Sequence, residues 1–125
     1  MAVQRRVILA LVCSVLGAAP AWATLDNFKR FKEAYPGKAA TAYSCKVCHL
    51  GALGRKGDLN PYGLSLQKRK APADAKKLTT EDLRTVEAED ADGDGASNLD
   101  EITAGTAPGD AASVPASVPA ASEHN

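Results

Sequence analysis

The chain has 125 residues, and its 15 Lys and Arg balance 15 Asp and Glu, so the formal net charge is zero. This balance gives no electrostatic reason to expect nucleic acid as a partner. The sequence contains no grouping of a nucleophile with a base and no glycine pattern that binds phosphate, so it does not predict an enzyme.

Residues 1–23 have the three parts of a secretory signal peptide. Arg5 and Arg6 precede a short apolar core, and small residues at Ala21 and Ala23 favour cleavage after Ala23. The apolar run is shorter than the roughly 20 residues that a membrane-spanning helix needs. We therefore expect an exported monomer, periplasmic or secreted, whose mature form has no membrane span and keeps two of the three cysteines.

An all-α fold is predicted for the mature chain, beginning with a helix that ends at Pro36 and Gly37. Its apolar residues recur at three- and four-residue spacing, which places them on one face. They are Leu25, Phe28, Phe31 and Tyr35. Few large apolar residues follow, so a domain of this size needs an additional stabilising element.

Later helices are marked by their ends. A second short helix is expected from about Thr41 through the cysteines. Asn60 and Pro61 supply an N-cap and a first helical residue for a third, which runs to Lys68-Arg69-Lys70. Thr79 begins a fourth, and Gly105 ends a last short one. Residues 106–125 are mostly Ala, Ser, Pro and Val without a period, and predict a disordered tail.

The pentapeptide Cys45-Lys46-Val47-Cys48-His49 has the spacing of a c-type haem attachment site. Its two thiols can add to the two vinyl groups on one edge of a porphyrin, and the adjacent imidazole then lies at the iron. The pattern predicts Cys45 and Cys48 as thioether anchors and His49 as the proximal ligand of one covalent haem c. The helical region around them spans residues 24–80.

With this pentapeptide and the helices around it, the chain resembles small exported c-type cytochromes. The resemblance implies a cytochrome c-like helical domain around one haem, which carries single electrons and has no catalytic residues. Class I cytochromes usually supply a Met as the sixth ligand, but no Met follows residue 23. The sixth position stays open among water, a partner's group, and several groups of this chain: Lys56, Lys68, Tyr62, His124 and the new amino terminus at Thr24.

Residues 90–101 match the twelve-residue EF-hand loop at each ligand position and predict a Ca²⁺ site within a helix–loop–helix of residues 81–105. Gly95 at position 6 allows the sharp turn. Ser97 occupies position 8, where paired loops carry an aliphatic residue, and no second loop follows. The predicted ligands are Asp90, Asp92, Asp94, the carbonyl of Ala96, Asn98 (directly or through water) and bidentate Glu101.

This solitary loop is similar to those of dockerins and thrombospondin type 3 repeats, and the resemblance implies a structural calcium site. Other interpretations of the chain stay open. A haem-based ligand binder or small peroxidase fits the missing sixth ligand. A calcium-stabilised exported surface module fits the sequence if the cysteines do not bind haem. A thioredoxin-like redox couple lacks its βαβ setting, and a zinc site lacks a second ligand pair.

Charge is divided between two halves of the mature chain. Residues 24–80 carry twelve basic and four acidic residues, whereas residues 81–125 carry one Arg and eleven acidic residues. The basic half contains the Cys45–His49 pentapeptide. We therefore expect docking through that side onto an acidic redox protein or a membrane-bound electron carrier.

Overall fold

The computed structural model describes residues 22–55, 57–70 and 77–117, with side chains from residue 25 onward. Four α-helices span Trp22–Ala34 (α1), Pro61–Lys68 (α2), Thr80–Arg84 (α3) and Asn98–Ala104 (α4). Within these ranges the only β feature is an isolated antiparallel bridge between His49 and Leu59. The predicted all-α class is confirmed for this part of the chain. None of its helices is long and apolar enough to cross a membrane.

The core lies where α1 packs on α3. Helices α2 and α4 each contribute apolar side chains from one face to this core. Phe31 and Tyr35 are buried as the helical spacing predicts, but Leu25 is 71% exposed because the core covers only the carboxyl half of that apolar face. The predicted signal peptide lies largely outside the described residues. The core residues are Phe31, Tyr35, Tyr62, Leu66, Leu83, Val86 and Ile102.

Three predicted helix ends are confirmed by their capping contacts. The Asn60 side chain accepts a hydrogen bond from the Gly63 N–H at 2.9 Å at the start of α2. Thr79 and Asp82 form a reciprocal capping box at the start of α3. Gly105 ends α4 in the left-handed conformation, with φ of 81°.

The helix predicted from Thr41 through the cysteines is wrong. Two single 3₁₀ turns, Ala40–Ala42 and Cys45–Val47, occupy this stretch, and the backbone of Ser44 between them is extended. The physical reason is the backbone of Ser44, whose φ of −137° and ψ of 162° lie outside the helical region, so a continuous α-helix cannot run through it. The Asn60 side chain holds the second of the two turns through the carbonyls of Lys46 and Val47.

The predicted disordered tail is wrong for residues 106–117. Pro108 and Pro115 are fully buried, and the Thr106 N–H donates to the Glu101 carbonyl at 2.9 Å. The Ser113 hydroxyl accepts from the Ala107 N–H at 3.0 Å and closes a turn. Proline loses little conformational entropy on burial, so such a segment can pack without a helix or strand. Residues 118–125, including His124, lie outside the described residues.

Candidate haem and calcium sites

Two free thiols lie three residues apart at the edge of the core. Cys45 and Cys48 are both partly buried, and Cys48 packs against the core cluster. Burial, reinforced by the neighbouring Cys45, raises the pKa of the Cys48 thiol to about 12. A redox-active couple requires a readily formed thiolate. The arrangement therefore does not favour a thioredoxin-like function.

His49 forms a short contact with Asp58, a residue that no motif in the sequence marks. Its Nδ1 lies 2.6 Å from Asp58 Oδ1, and both side chains are mostly buried. Partial burial alone would raise the pKa of Asp58. The hydrogen bond and charge of His49, with the backbone N–H groups of Arg55 and Gly51, outweigh burial and lower it. An ionised carboxylate can only accept, so Nδ1 carries the hydrogen of this contact, and Nε2 is the ring nitrogen left to bind a metal.

The backbone explains how Asp58 reaches His49 from nine residues away. The Leu50 N–H donates to the Asp58 carbonyl at 2.7 Å, and the Asn60 N–H donates to the Cys48 carbonyl at 3.0 Å. These bonds flank the His49–Leu59 bridge and close the glycine-containing loop between them. No residue spacing encodes this contact, because it depends on the path of the loop.

Asn60 connects the cysteine-containing turn to α2 and to the carboxyl-terminal segment. It is 4% exposed, and its Nδ2 donates to the carbonyls of Lys46 and Val47, both at 2.9 Å. The Cα of Gly109 lies against this side chain, so closely that a Cβ at that position would overlap it. The segment that follows the acidic loop therefore packs directly on the residue that holds the Cys45–His49 backbone.

Three of the groups named as possible sixth ligands can be located. Tyr62 is completely buried within the core, and burial raises its pKa further above the ordinary value. Lys68 is exposed at the end of α2. The backbone of Thr24 lies within α1, whereas Lys56 and His124 are outside the described residues. Tyr62 is therefore a packing residue of the core.

Ligand atoms converge at one place in the described part of the chain. Single carboxylate oxygens of Asp90, Asp92 and Asp94 lie within 4.8 Å of one another. The side chains of Cys45, Cys48 and His49 form no comparable group among the described residues, so they do not make a preformed zinc site.

The loop that carries the three aspartates is folded by their own carboxylates. Asp90 accepts hydrogen bonds from the Gly93 N–H at 2.7 Å and from the Gly95 N–H at 2.9 Å. Gly95 has φ of 96°, which is the sharp turn expected at position 6. Asp92 Oδ1 and Asp94 Oδ1 accept further backbone N–H groups, so their other oxygens are left over.

Glu101 lies fully buried beside these aspartates. Both of its carboxylate oxygens, with Asp92 Oδ2 and Asp94 Oδ2, are buried without a hydrogen-bond partner in the structure. Burial, followed by the charges of Asp92, Asp94, Asp90 and Asp110, raises the pKa of Glu101 to about 8. Burying carboxylates without partners is costly, and a bound cation offsets that cost. The donor set therefore fits a hard divalent ion.

Asn98, a predicted ligand, makes two hydrogen bonds with the backbone around the loop. Its fully buried side chain donates from Nδ2 to the Val86 carbonyl at 2.8 Å, and its Oδ1 accepts from the Ala91 N–H at 3.1 Å. Both polar atoms thus form hydrogen bonds with the backbone on either side of the loop's start. Ala96, another predicted ligand through its carbonyl, is buried within the loop.

No protein-family model, curated protein or solved structure matches this chain. The functional argument therefore depends on the geometry of these two sites.

Proposed function

We propose that this chain is an exported c-type cytochrome that carries single electrons on one covalent haem. The observation that carries the proposal is the His49–Asp58 pair next to two free thiols. A metal-binding histidine characteristically donates its other ring N–H to a carboxylate or carbonyl, which fixes both its tautomer and its orientation. Asp58 holds His49 in this way and leaves Nε2 as the ligand atom.

The residues of the chain divide the work of holding the haem. Cys45 and Cys48 would supply the thioether bonds, and His49 would bind the iron, where bound haem supplies reversible one-electron chemistry. Asn60 fixes the backbone between the two cysteines. Leu50 and Leu53, one and four residues after His49, are 69% and 75% exposed, so their apolar side chains are available to contact a haem beside this loop.

Covalent attachment is the decisive test. Expressed with a haem-ligation system, the exported protein is expected to gain the mass of one haem, which survives acid and organic extraction. Cys45→Ala and Cys48→Ala should each leave one thioether bond, and the double variant should lose haem on extraction. A colourless wild-type protein with a Cys45–Cys48 disulfide would contradict the proposal. Carbon monoxide added to the reduced protein distinguishes an electron carrier, whose spectrum does not change, from a ligand binder or peroxidase.

We also propose that residues 90–101 bind one Ca²⁺ as a structural ion. Support comes from the converging aspartates and from the buried, unpartnered oxygens of Glu101. Unpaired loops in extracellular modules bind calcium with dissociation constants on the order of 10⁻⁴ to 10⁻³ M. A site of this strength is filled where calcium is abundant and serves the stability of the fold.

Docking of the proposed cytochrome should depend on its basic half. Lys46 is exposed within the pentapeptide and Arg55 is exposed in the loop that follows it. Electron-transfer rates with an acidic partner are expected to fall steeply as ionic strength rises, because exposed charges are screened beyond about 10 Å at 0.1 M salt. Stopped-flow measurement across salt concentrations checks this dependence.

Two charge variants locate the docking surface. Lys46→Gln should slow the reaction at low salt, whereas Arg84→Gln, which removes an exposed charge from the acidic half, should not. A rate that stays flat or rises with salt would instead indicate an apolar or acidic docking surface.

A further inference from the structure

We propose that Asp58 is a positioning residue that strengthens His49 as an iron ligand and lowers the reduction potential of the haem. The inference depends on the proposed function, since it concerns a haem bound at His49. It is carried by a 2.6 Å contact between His49 Nδ1 and Asp58 Oδ1, in which both side chains are largely shielded from water.

The direction of the effect follows from the charge of the acceptor. A carboxylate draws the Nδ1 proton towards itself, so the ring becomes a more basic donor at Nε2. A more basic ligand stabilises the more positive, oxidised iron over the reduced iron. Hydrogen bonding to an axial ligand is one of the means by which a protein sets the potential of its haem. A neutral acceptor would give a weaker effect in the same direction.

The loop holds the carboxylate in place independently of His49. The Asp58 N–H donates to the Arg55 carbonyl at 3.3 Å, and the Asp58 carbonyl accepts from the Leu50 N–H. Gly51 leaves room for the carboxylate, because a Cβ there would lie 2.9 Å from Asp58 Oδ2. The backbone N–H groups of Arg55 and Gly51 also lower the pKa of this carboxyl group and so favour its ionised form. The carboxylate is thus fixed against the ring before any cofactor binds.

Two variants test the role by different routes. In Asp58→Asn the amide oxygen can still accept from Nδ1, so the ring stays oriented while the negative charge is lost. In Gly51→Ala the charge stays, but the new methyl group would overlap Asp58 Oδ2 and displace the carboxylate from its present contact with the ring. Both are expected to raise the reduction potential of the haem. Asp26→Asn removes the same charge from an exposed position in α1 and should leave the potential near that of wild type.

Covalent haem is measured by mass in every sample, which separates the outcomes. A wild-type protein without haem overturns the proposed function and this inference together. Variants that carry haem at an unchanged potential overturn the role of Asp58 alone. If neither variant matures, the wild-type protein decides: the His49 Nδ1 proton of the reduced state should resonate far downfield, and an ordinary imidazole N–H signal refutes the inference.

Discussion

Gly63→Ala is expected to destabilise the protein strongly, although glycine-to-alanine changes inside helices usually stabilise. Gly63 lies in α2 with helical backbone, where alanine would ordinarily contribute about 1 kcal/mol. Here a Cβ would overlap the backbone carbonyl oxygen of Cys48 and press on the Leu59 side chain. A backbone atom cannot move aside as a flexible side chain can.

The same Cys48 carbonyl accepts a hydrogen bond from the Asn60 N–H at the start of α2. An overlap with this oxygen therefore displaces α2 from the cysteine-containing turn. Overpacking costs about 1–3 kcal/mol and occasionally more, and an overlap with a backbone atom belongs at the upper end of this range, above the gain of about 1 kcal/mol in helix propensity. Urea unfolding of the two proteins measures the difference. Gln67→Ala, at an exposed position in the same helix, serves as the control and should change stability by less than about 0.5 kcal/mol. A Gly63→Ala protein as stable as the control would contradict the close packing.

Helix boundaries were predictable because their signals are local. Asn60, Thr79 and Gly105 each act on backbone groups within a few residues, and the structure uses all three as the sequence predicts. The burial of individual side chains was less predictable, because it depends on which other parts of the fold pack against them. Leu25 has the same helical spacing as Phe31, yet it remains exposed.

The packed segment 106–117 could not be predicted from its composition. Its Ala, Ser and Pro residues are typical of disorder, but Pro108 is buried and Gly109 allows close contact with Asn60. Only the folded chain brings these residues within reach of one another. The same reason explains why the contact of Asp58 with His49 was missed. A one-dimensional motif specifies residue types, and the loop path decides which atoms remain free.

The stability of the calcium-free protein is expected to fall as pH rises between about 4.5 and 8, the ordinary and folded pKa values of Glu101. In this window the unfolded chain has already lost the Glu101 proton, whereas the folded chain still holds it. Each pH unit therefore lowers the free energy of unfolding, by up to about 1.4 kcal/mol for this one proton. Thermal or urea unfolding in a calcium chelator across this window measures the slope.

Calcium should offset this loss of stability at high pH, because it takes the place of the proton on Glu101 and binds the carboxylate oxygens that lack a partner. Affinity is then expected to rise with pH up to about 8, since the ligand must be deprotonated. For dissociation constants on the order of 10⁻⁴ to 10⁻³ M, 10 mM calcium would stabilise the folded state by about 1.4 to 2.7 kcal/mol.

Glu101→Gln separates the buried charge from the fold around it. The amide keeps the shape of the side chain but cannot ionise, so the calcium-free variant should be more stable than wild type at pH 8. The same variant should lose most of the stabilisation by calcium, because a neutral amide binds a hard cation weakly and through only one oxygen atom. Asp100→Asn removes an exposed charge from the next position and should keep both the pH slope and the calcium response. A calcium-free Glu101→Gln protein that is destabilised at pH 8 would contradict the cost assigned to the buried charge, and a calcium response equal to that of wild type would show that Glu101 is not a ligand.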